Sequence, residues 1–395
     1  MSWLLLPLLL LCLTACSSSD DDPSDTPTPP AEPTKLYIYV HAPQTAVPTR
    51  AAYEGDVAPI NNEAKVYSLQ IWVFKHGSND LLGYYSPTGT SALNMPGGYE
   101  VLQLTIDEDY ANTAEDSREH VDVYVLANVK EENCHLTLDQ TTTRDELEAA
   151  VLAHGTTTDA FGLTAPVMTV PENLGLPMSG VLRNKKVTGT APVLQLDNGS
   201  GEMAQVSLIR TVSKLRFVFA NQTDNEPLTI NSIKLNTDMI PEEQYLFMTD
   251  DDPYDRKTCH IKGSDYNTTT PELLPATITD VPAIDQPVIY AWGNDETLTP
   301  QQYETKLDNA VTAGDLTQRL YFLRESDQLL AGTIKYQIGD DDEQTATFTM
   351  VDEGGFSRNH IWTVYAYQAQ ARLHLVVVKI APWTTTETNH EFYNW

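Results

Sequence analysis

The chain predicts an all-β protein made of two tandem β-sandwich domains, with one short helix in the first. Three observations carry this expectation. Apolar residues alternate with polar or aromatic ones at the two-residue period of a strand, as in Leu36, Ile38 and Val40 between Tyr37, Tyr39 and His41. Clusters of Gly, Asn, Ser and Pro, such as HGSNDLLG and NMPGG, separate successive runs as turns between antiparallel neighbours. The pattern then restarts near residue 206, beyond the polar stretch DNGSGE, and no βαβ alternation of an α/β enzyme accompanies it.

Residues 3–13, WLLLPLLLLCL, form an apolar run too short to span a bilayer as a mature helix and of the right length for the core of a secretory signal. Leu13, Thr14, Ala15 and Cys16 follow directly, and this Leu-x-Ala-Cys resembles the lipobox of bacterial lipoproteins. The resemblance implies a signal peptide over residues 1–15, cleavage before Cys16 and diacylation of its sulfur. Residues 16–34 hold almost no apolar side chain, so they predict an extended acidic and Pro-rich tether without a packed core. The acidic run after Cys16 resembles a surface-export signal of outer-membrane lipoproteins; a solvated linker is the alternative reading.

Lys35 to His41 reads as the first strand of the folded part. From Ala42 to Thr49 the alternation is lost, and Pro43 and Pro48 stop a sheet ladder. Arg50 is therefore expected on an exposed connector ahead of Ala51, within reach of a trypsin-like protease. Residues 35–50 would form a removable segment, and Leu36, Ile38 and Val40 the apolar face lost with it.

The first sandwich is expected over 51–203. Val66 to Phe74, Val101 to Ile106, Val121 to Ala127 and Val193 to Leu196 all show strand alternation. Thr143 with Glu146 three residues on forms a capping box, and Leu147, Ala150 and Val151 give the following helix its apolar face. LTAPVMTVPENLGLPMSG carries three prolines and is expected to lack regular structure. The second sandwich, 204–395, has candidate strands near 206–219, 228–235, 287–292, 320–323, 333–338, 346–350, 361–367 and 373–380.

The 395 residues carry a formal net charge of -31, which speaks against nucleic acid and against electrostatic adhesion to anionic lipid. Membrane attachment would rest on the acyl chains of Cys16. Cys12 leaves with the leader, so Cys134 and Cys259 remain as thiols, and nothing in their spacing demands a disulfide. HExxH, GxSxG, P-loop and GxGxxG signatures are missing, so no enzymatic activity and no cofactor is expected. Asp250 to Asp252 and Asp340 to Asp342 lack the spacing of a calcium loop and read as solvated turns, leaving no metal site. His360 and His374 read as satisfied strand histidines, and Trp72, Trp292, Trp362 and Trp383 as core residues before a sugar-stacking platform.

In order along the chain, several short stretches resemble the fimbrillins, the pilins of type V pili. They are the lipobox at Leu13 to Cys16; Thr49-Arg50-Ala51 with the EG turn; and Asn62-Glu63-Ala64-Lys65 ahead of a strand ending Ile71-Trp72-Val73-Phe74. Further on come Leu176-Pro177-Met178-Ser179-Gly180, Leu208-Ile209-Arg210-Thr211-Val212-Ser213-Lys214, and a Val-rich last strand closing on Pro382-Trp383. The resemblance implies two transthyretin-like Greek-key sandwiches, export as a lipoprotein to the outer membrane, and a cut after Arg50 by an Arg-specific protease. It also implies polymerisation with other fimbrial subunits, the emptied groove being filled by a C-terminal strand of the next subunit.

The donor candidate runs from Arg372 to Trp395. Leu375 to Val378 reads as buried on both sides and so as a core strand of its own domain, whereas Phe392, Tyr393 and Trp395 on the polar tail need a place to bury. Insertion into another subunit and packing on the tail's own domain both remain open. The function expected is a fimbrial subunit serving adhesion and biofilm formation. A surface glycan-binding lipoprotein of an uptake system, or an uncleaved anchor or tip pilin, is the alternative.

Overall fold

The structure, a computed structural model, describes residues 32–42, 63, 65–87, 99–152, 170, 175–221, 226–248, 316–349, 355–369 and 372–382, with scattered positions between 259 and 313. The first half holds β1 (Lys35–His41), β2 (Leu69–Lys75), β3 (Leu81–Tyr85), β4 (Tyr99–Thr105), β5 (Val121–Ala127), β6 (Val151–Leu152), β7 (Met178–Thr190) and β8 (Val193–Asp197). β9 (Gln205–Ser207) and β10 (Ile209–Arg210) follow. Their hydrogen bonds run in the order β3-β2-β5-β7-β8-β1-β4, with β9 on β1 and β10 on β7.

This path folds into two layers because β7 serves both. Its first part pairs with β5 and its last part with β8. The chain turns between them at Asn184, whose φ of 56° is left-handed. The far ends of the path also meet: Asp107 N–H donates to Leu82 O at 2.8 Å. Between the layers lie Leu36, Ile38, Val40, Ile71, Val73, Val123, Val125, Leu194 and Val206, all buried. The other face of β2 and β5 is covered too, so Trp72, Phe74, Tyr124 and Leu126 are also buried and both strands are apolar on both sides.

The second half stacks two four-stranded sheets. One has the order β15-β11-β18-β19, from β11 (Val212–Asn221), β15 (Thr317–Arg324), β18 (His360–Ala369) and β19 (Arg372–Pro382). The other has the order β14-β12-β16-β17, from β12 (Leu228–Leu235), β14 (Glu272–Leu273), β16 (Ala331–Ile338) and β17 (Gln344–Thr349). β13 (Gln244–Tyr245) pairs with β6 across the halves. Leu215, Phe217, Ile230, Ile233, Tyr321, Ile334, Phe348, Trp362 and Val364 fill the second core. The all-β sandwich class is thus the observed one.

Several local expectations change. β7 occupies MSGVLRNKKVTGT and so begins inside the stretch expected to lack regular structure, at Met178; Arg183, Lys185 and Lys186 hid the rest of it because part of each face borders solvent. The DLLG segment, expected as loop, opens β3. DNGSGE is a turn between β8 and β9, with Asn198 N–H donating to Glu202 O at 3.0 Å, and both strands pair with β1. The capping box on Thr143 is present, but α3 (Arg144–Glu148) ends early, and Val151 belongs to β6. Two further one-turn helices, α1 (Glu108–Asn112) and α2 (Glu131–Cys134), join it where one helix was expected. The 287–292 strand lies outside the described residues. Among the described residues no helix is long and apolar enough to cross a membrane.

Gly180 on β7 marks a close approach of two strands in the first half. A Cβ there would stand 2.6 Å from Ser207 O and 2.8 Å from Val206 Cγ1, so only glycine lets β9 pass this close to β7. Gly180→Ala is expected to lower unfolding free energy by about 1–3 kcal/mol through overpacking, read as a shifted urea midpoint. An unshifted midpoint would show that β9 moves aside freely.

Candidate functional site: the first strand and its surroundings

β1 is KLYIYVH, and its alternation decides how it sits. Leu36, Ile38 and Val40 point into the first core and are 0% exposed, whereas Lys35, Tyr37 and Tyr39 are partly exposed on the outer face. The strand is interior to its sheet. On one side it pairs antiparallel with β4 from Lys35↔Thr105 to His41↔Tyr99. On the other it pairs parallel with β8 at Lys35 to Tyr37 and then with β9 at Tyr39 to His41. Its ends are tied by Lys35 N–H to Pro192 O at 2.9 Å, Ile106 N–H to Thr34 O at 3.2 Å and Leu208 N–H to His41 O at 2.7 Å.

Burial of the Leu36, Ile38 and Val40 side chains is worth roughly 5–9 kcal/mol gross, at about 1.5–3 kcal/mol each. Taking β1 away would empty this slot. It would also orphan the facing backbone groups of β4, β8 and β9, leaving the shape and hydrogen-bonding pattern of a strand-binding groove. His41 ends the strand at a position of outer-face parity yet is only 1% exposed, and burial lowers its pKa to about 4.

The fold also holds a buried polar hub whose pairing the sequence did not announce. The Lys214 ammonium meets Glu63 Oε1 at 2.9 Å, with both side chains within 3% of full burial. Arg210 Nε donates to Glu63 O at 3.0 Å and Nη1 to Asn359 Oδ1 at 3.3 Å. Burial pushes the Arg210 guanidinium down to about 9, and the Glu63 charge works against that fall. A second buried pair joins Arg358 Nε to Glu325 Oε1 at 2.9 Å, and Arg358 Nη1 also donates to Leu246 O at 2.9 Å. Gln244 Nε2 donates to Thr211 O, and Glu325 N–H donates to Gln244 Oε1 at 2.9 Å. These acids and bases are matched to one another and to backbone, so the hub fastens the two halves.

Of the other residues singled out in the sequence, Cys16, Arg50, Ala51, Phe392, Tyr393 and Trp395 lie outside the described residues, as do Trp292, Trp383 and Asp250 to Asp252. Among the described strands β19 lies at the edge of its sheet, next to β18. Trp72 and Trp362 are core residues; Trp72 Nε1 donates to Asp139 O at 2.7 Å. His360, with Nδ1 2.7 Å from Arg358 O, and His374, stacked on Tyr367, stand near opposite ends of the β18–β19 ladder and are not brought together. Cys134 is a free thiol whose pKa burial raises to about 11, and the Cys259 thiol donates to Ser326 O at 3.1 Å. Asp340, Asp341 and Asp342 are exposed at the turn after β16.

No family model matches the chain, and no curated protein matches it. Among solved structures, it is similar to a provisionally assigned cell adhesion protein of Parabacteroides distasonis at 15% identity and TM-score 0.48, over 90% of this chain and 99% of that one. It is likewise similar to the tip fimbrial protein Mfa3 of Porphyromonas gingivalis with a C-terminal truncation, at 11% identity and TM-score 0.48, over 89% and 99%. A fimbrial assembly protein of Parabacteroides distasonis gives 10% identity and TM-score 0.41, over 89% and 99%.

Two outcomes are expected from this geometry. His41 has a folded pKa near 4 against an ordinary value of 6.5, so the unfolded chain binds more protons between these values and stability falls as pH drops through that window. The loss is on the order of 3 kcal/mol. His41→Gln should flatten the wild-type decline between those pH values in urea titrations; superimposable curves would refute the assignment. Glu63→Ala, which strands the Lys214 charge, should cost about 3–5 kcal/mol, whereas Glu63→Gln with Lys214→Met should recover most of it. Equal losses in both variants would mean that packing, and not charge pairing, sets the hub.

Proposed function

We propose that this chain is a structural subunit of a surface fimbrium, exported as a lipoprotein on Cys16, cut between Arg50 and Ala51, and assembled by strand exchange. The observation that carries the reading is the placement of β1. It is the first strand of the fold, yet it lies inside a sheet with its Leu36, Ile38 and Val40 face filling the core. A single cut in the following connector frees it from the rest of the chain, and a strand of the same alternation satisfies the same pocket and ladders. The fimbrillin resemblance of the lipobox, the Thr49-Arg50-Ala51 run and the Leu208 to Lys214 run agrees with this.

In this reading the partners are other fimbrial subunits and an Arg-specific protease. The outer membrane holds the precursor by lipid until the cut, and the filament then stands at the cell surface in adhesion and biofilm formation. Residues 51–203 and 204–395 act as two sandwich domains, joined by the hub around Glu63, Lys214 and Arg210. No catalytic chemistry is assigned to the chain. The donor is the C-terminal segment, with Phe392, Tyr393 and Trp395 as anchors beyond the edge strand β19.

Brief trypsin treatment of the folded chain lacking its leader should nick after Arg50, release a peptide containing Lys35 to Arg50, and yield SDS-resistant ladders. Arg50→Ala should remain monomeric, and deletion of residues 384–395 should be cut yet fail to elongate. Wild-type protein that loses the peptide and stays monomeric would remove the shaft role and leave an anchor, tip or glycan-binding role.

A further inference from the structure

The ladder of β2 and β5 pairs Lys75 with Val121 and continues one step to His76 and His120, where His76 N–H donates to His120 O at 2.8 Å. The two histidines are thus directly opposed, with their side chains on the same face of the sheet and Cβ atoms about 4.5–5.5 Å apart by strand geometry. Both are exposed, the His76 side chain by 43%.

Each ring is held from below through Nδ1. His76 Nδ1 lies 2.7 Å from Asp122 Oδ1, and His120 Nδ1 lies 2.7 Å from Asn184 Oδ1. Asp122 is 0% exposed and accepts from Gly77 N–H at 3.1 Å, Arg144 Nε at 2.9 Å and Asn184 N–H at 2.8 Å. Asp122 is therefore an ionised acceptor whose every neighbour is a donor, and it fixes the proton of His76 on Nδ1. The amide oxygen of Asn184 does the same for His120. On both exposed rings Nε2 is left as the lone-pair nitrogen.

A histidine whose Nδ1–H is bonded to a buried oxygen, with Nε2 presented to solvent, has the supporting arrangement of a metal ligand. Two such imidazoles side by side suit a borderline divalent transition ion of the Zn²⁺, Ni²⁺ or Cu²⁺ kind, whose preferred ligands include imidazole; Mg²⁺ and Ca²⁺ favour oxygen. Binding at ~2.0–2.1 Å from each nitrogen brings the two Nε2 atoms within about 3.5 Å of each other, a separation that side-chain rotation allows for directly opposed residues. The chain's net charge of -31 raises the local concentration of cations.

We propose that His76 and His120 form a two-imidazole site for a borderline divalent transition-metal ion, oriented from beneath by Asp122 and Asn184. Among the described residues no group of three or more metal-ligating side chains exists. The site therefore supplies two protein ligands, and water or an external donor completes the coordination. This departs from the sequence expectation of no metal. The two histidines are separated by 44 positions and join only when β2 and β5 pair, so no motif spacing announces them.

The test uses the untagged chain. Titration with NiCl₂ and with ZnCl₂ by calorimetry should show one equivalent bound above the baseline set by the His76→Ala/His120→Ala double variant. Each single variant should weaken that event at least tenfold, and CaCl₂ should give none. Both side chains are exposed, so unchanged circular dichroism of the variants is expected and checks the fold. Cu²⁺ bound at one equivalent should give an electron paramagnetic resonance spectrum with two coupled imidazole nitrogens, reduced to one in either single variant. Binding that survives in the double variant, or a one-nitrogen spectrum in the wild type, would overturn the proposal.

Discussion

The structure turns on the fit of one seven-residue strand into the space between two layers. β1 brings Leu36, Ile38 and Val40 into the first core, and through its two edges it holds together strands that have no other common neighbour: β4 on one side, β8 and β9 on the other. Without it, among the described strands β4 would keep the contact of its end with β3, and β9 would lose its ladder. The sandwich thus contains a strand that is indispensable to its packing and is attached to the rest by a single connector. That combination makes strand replacement a physically coherent way to join copies, because the vacancy is specific in length, polarity and side-chain parity.

The hub around Glu63 fits this arrangement. Glu63 lies downstream of the connector that follows β1, and its carboxylate is taken by Lys214 while its backbone oxygen is taken by Arg210. The chain beyond the connector is therefore fastened at the second half by buried charge pairing, independently of β1. A buried ion pair contributes little net stability against an apolar replacement but penalises any state that separates its members. Placed here, it ties the segment around Glu63 to the second half.

Much of this was legible in the amino-acid sequence, for definite reasons. β1, β5, β12, β16 and β18 carry apolar alternation or continuous β-branched and aromatic runs, and local pattern suffices to find them. β7 was not legible, because its Arg183, Lys185 and Lys186 sit at a strand that bends from one layer to the other at Asn184, and a polar face there is compatible with either turn or strand. The hub was half visible. Arg210, Lys214 and Arg216 stand in a run otherwise made of Ile, Val, Leu and Phe with Thr211 and Ser213, which signals buried cations that need partners. Their partners could not be named, since Glu63 is 151 residues from Lys214 and tertiary folding alone sets the pairing. The pair of His76 and His120 was invisible for the same reason, each being an unremarkable turn residue until the ladder closes.

The energetics also explain why a covalent cut belongs in the proposed function. An intact β1 is tethered to its own groove, at an effective concentration on the order of millimolar or above. A donor strand of equal intrinsic fit on another copy competes at its bulk concentration and loses. The roughly 5–9 kcal/mol of gross burial by Leu36, Ile38 and Val40 does not distinguish the two, because a donor of the same alternation would regain it. What the cut changes is the reference. Once the connector is broken, β1 is a short peptide with no covalent tie to its groove, so it does not return at high effective concentration after leaving, while the donor remains part of a folded subunit and brings further contacts with it. The direction of assembly is then set by which strand keeps its covalent link to a folded body, and the apolar groove needs only to be strong enough to hold whichever strand arrives.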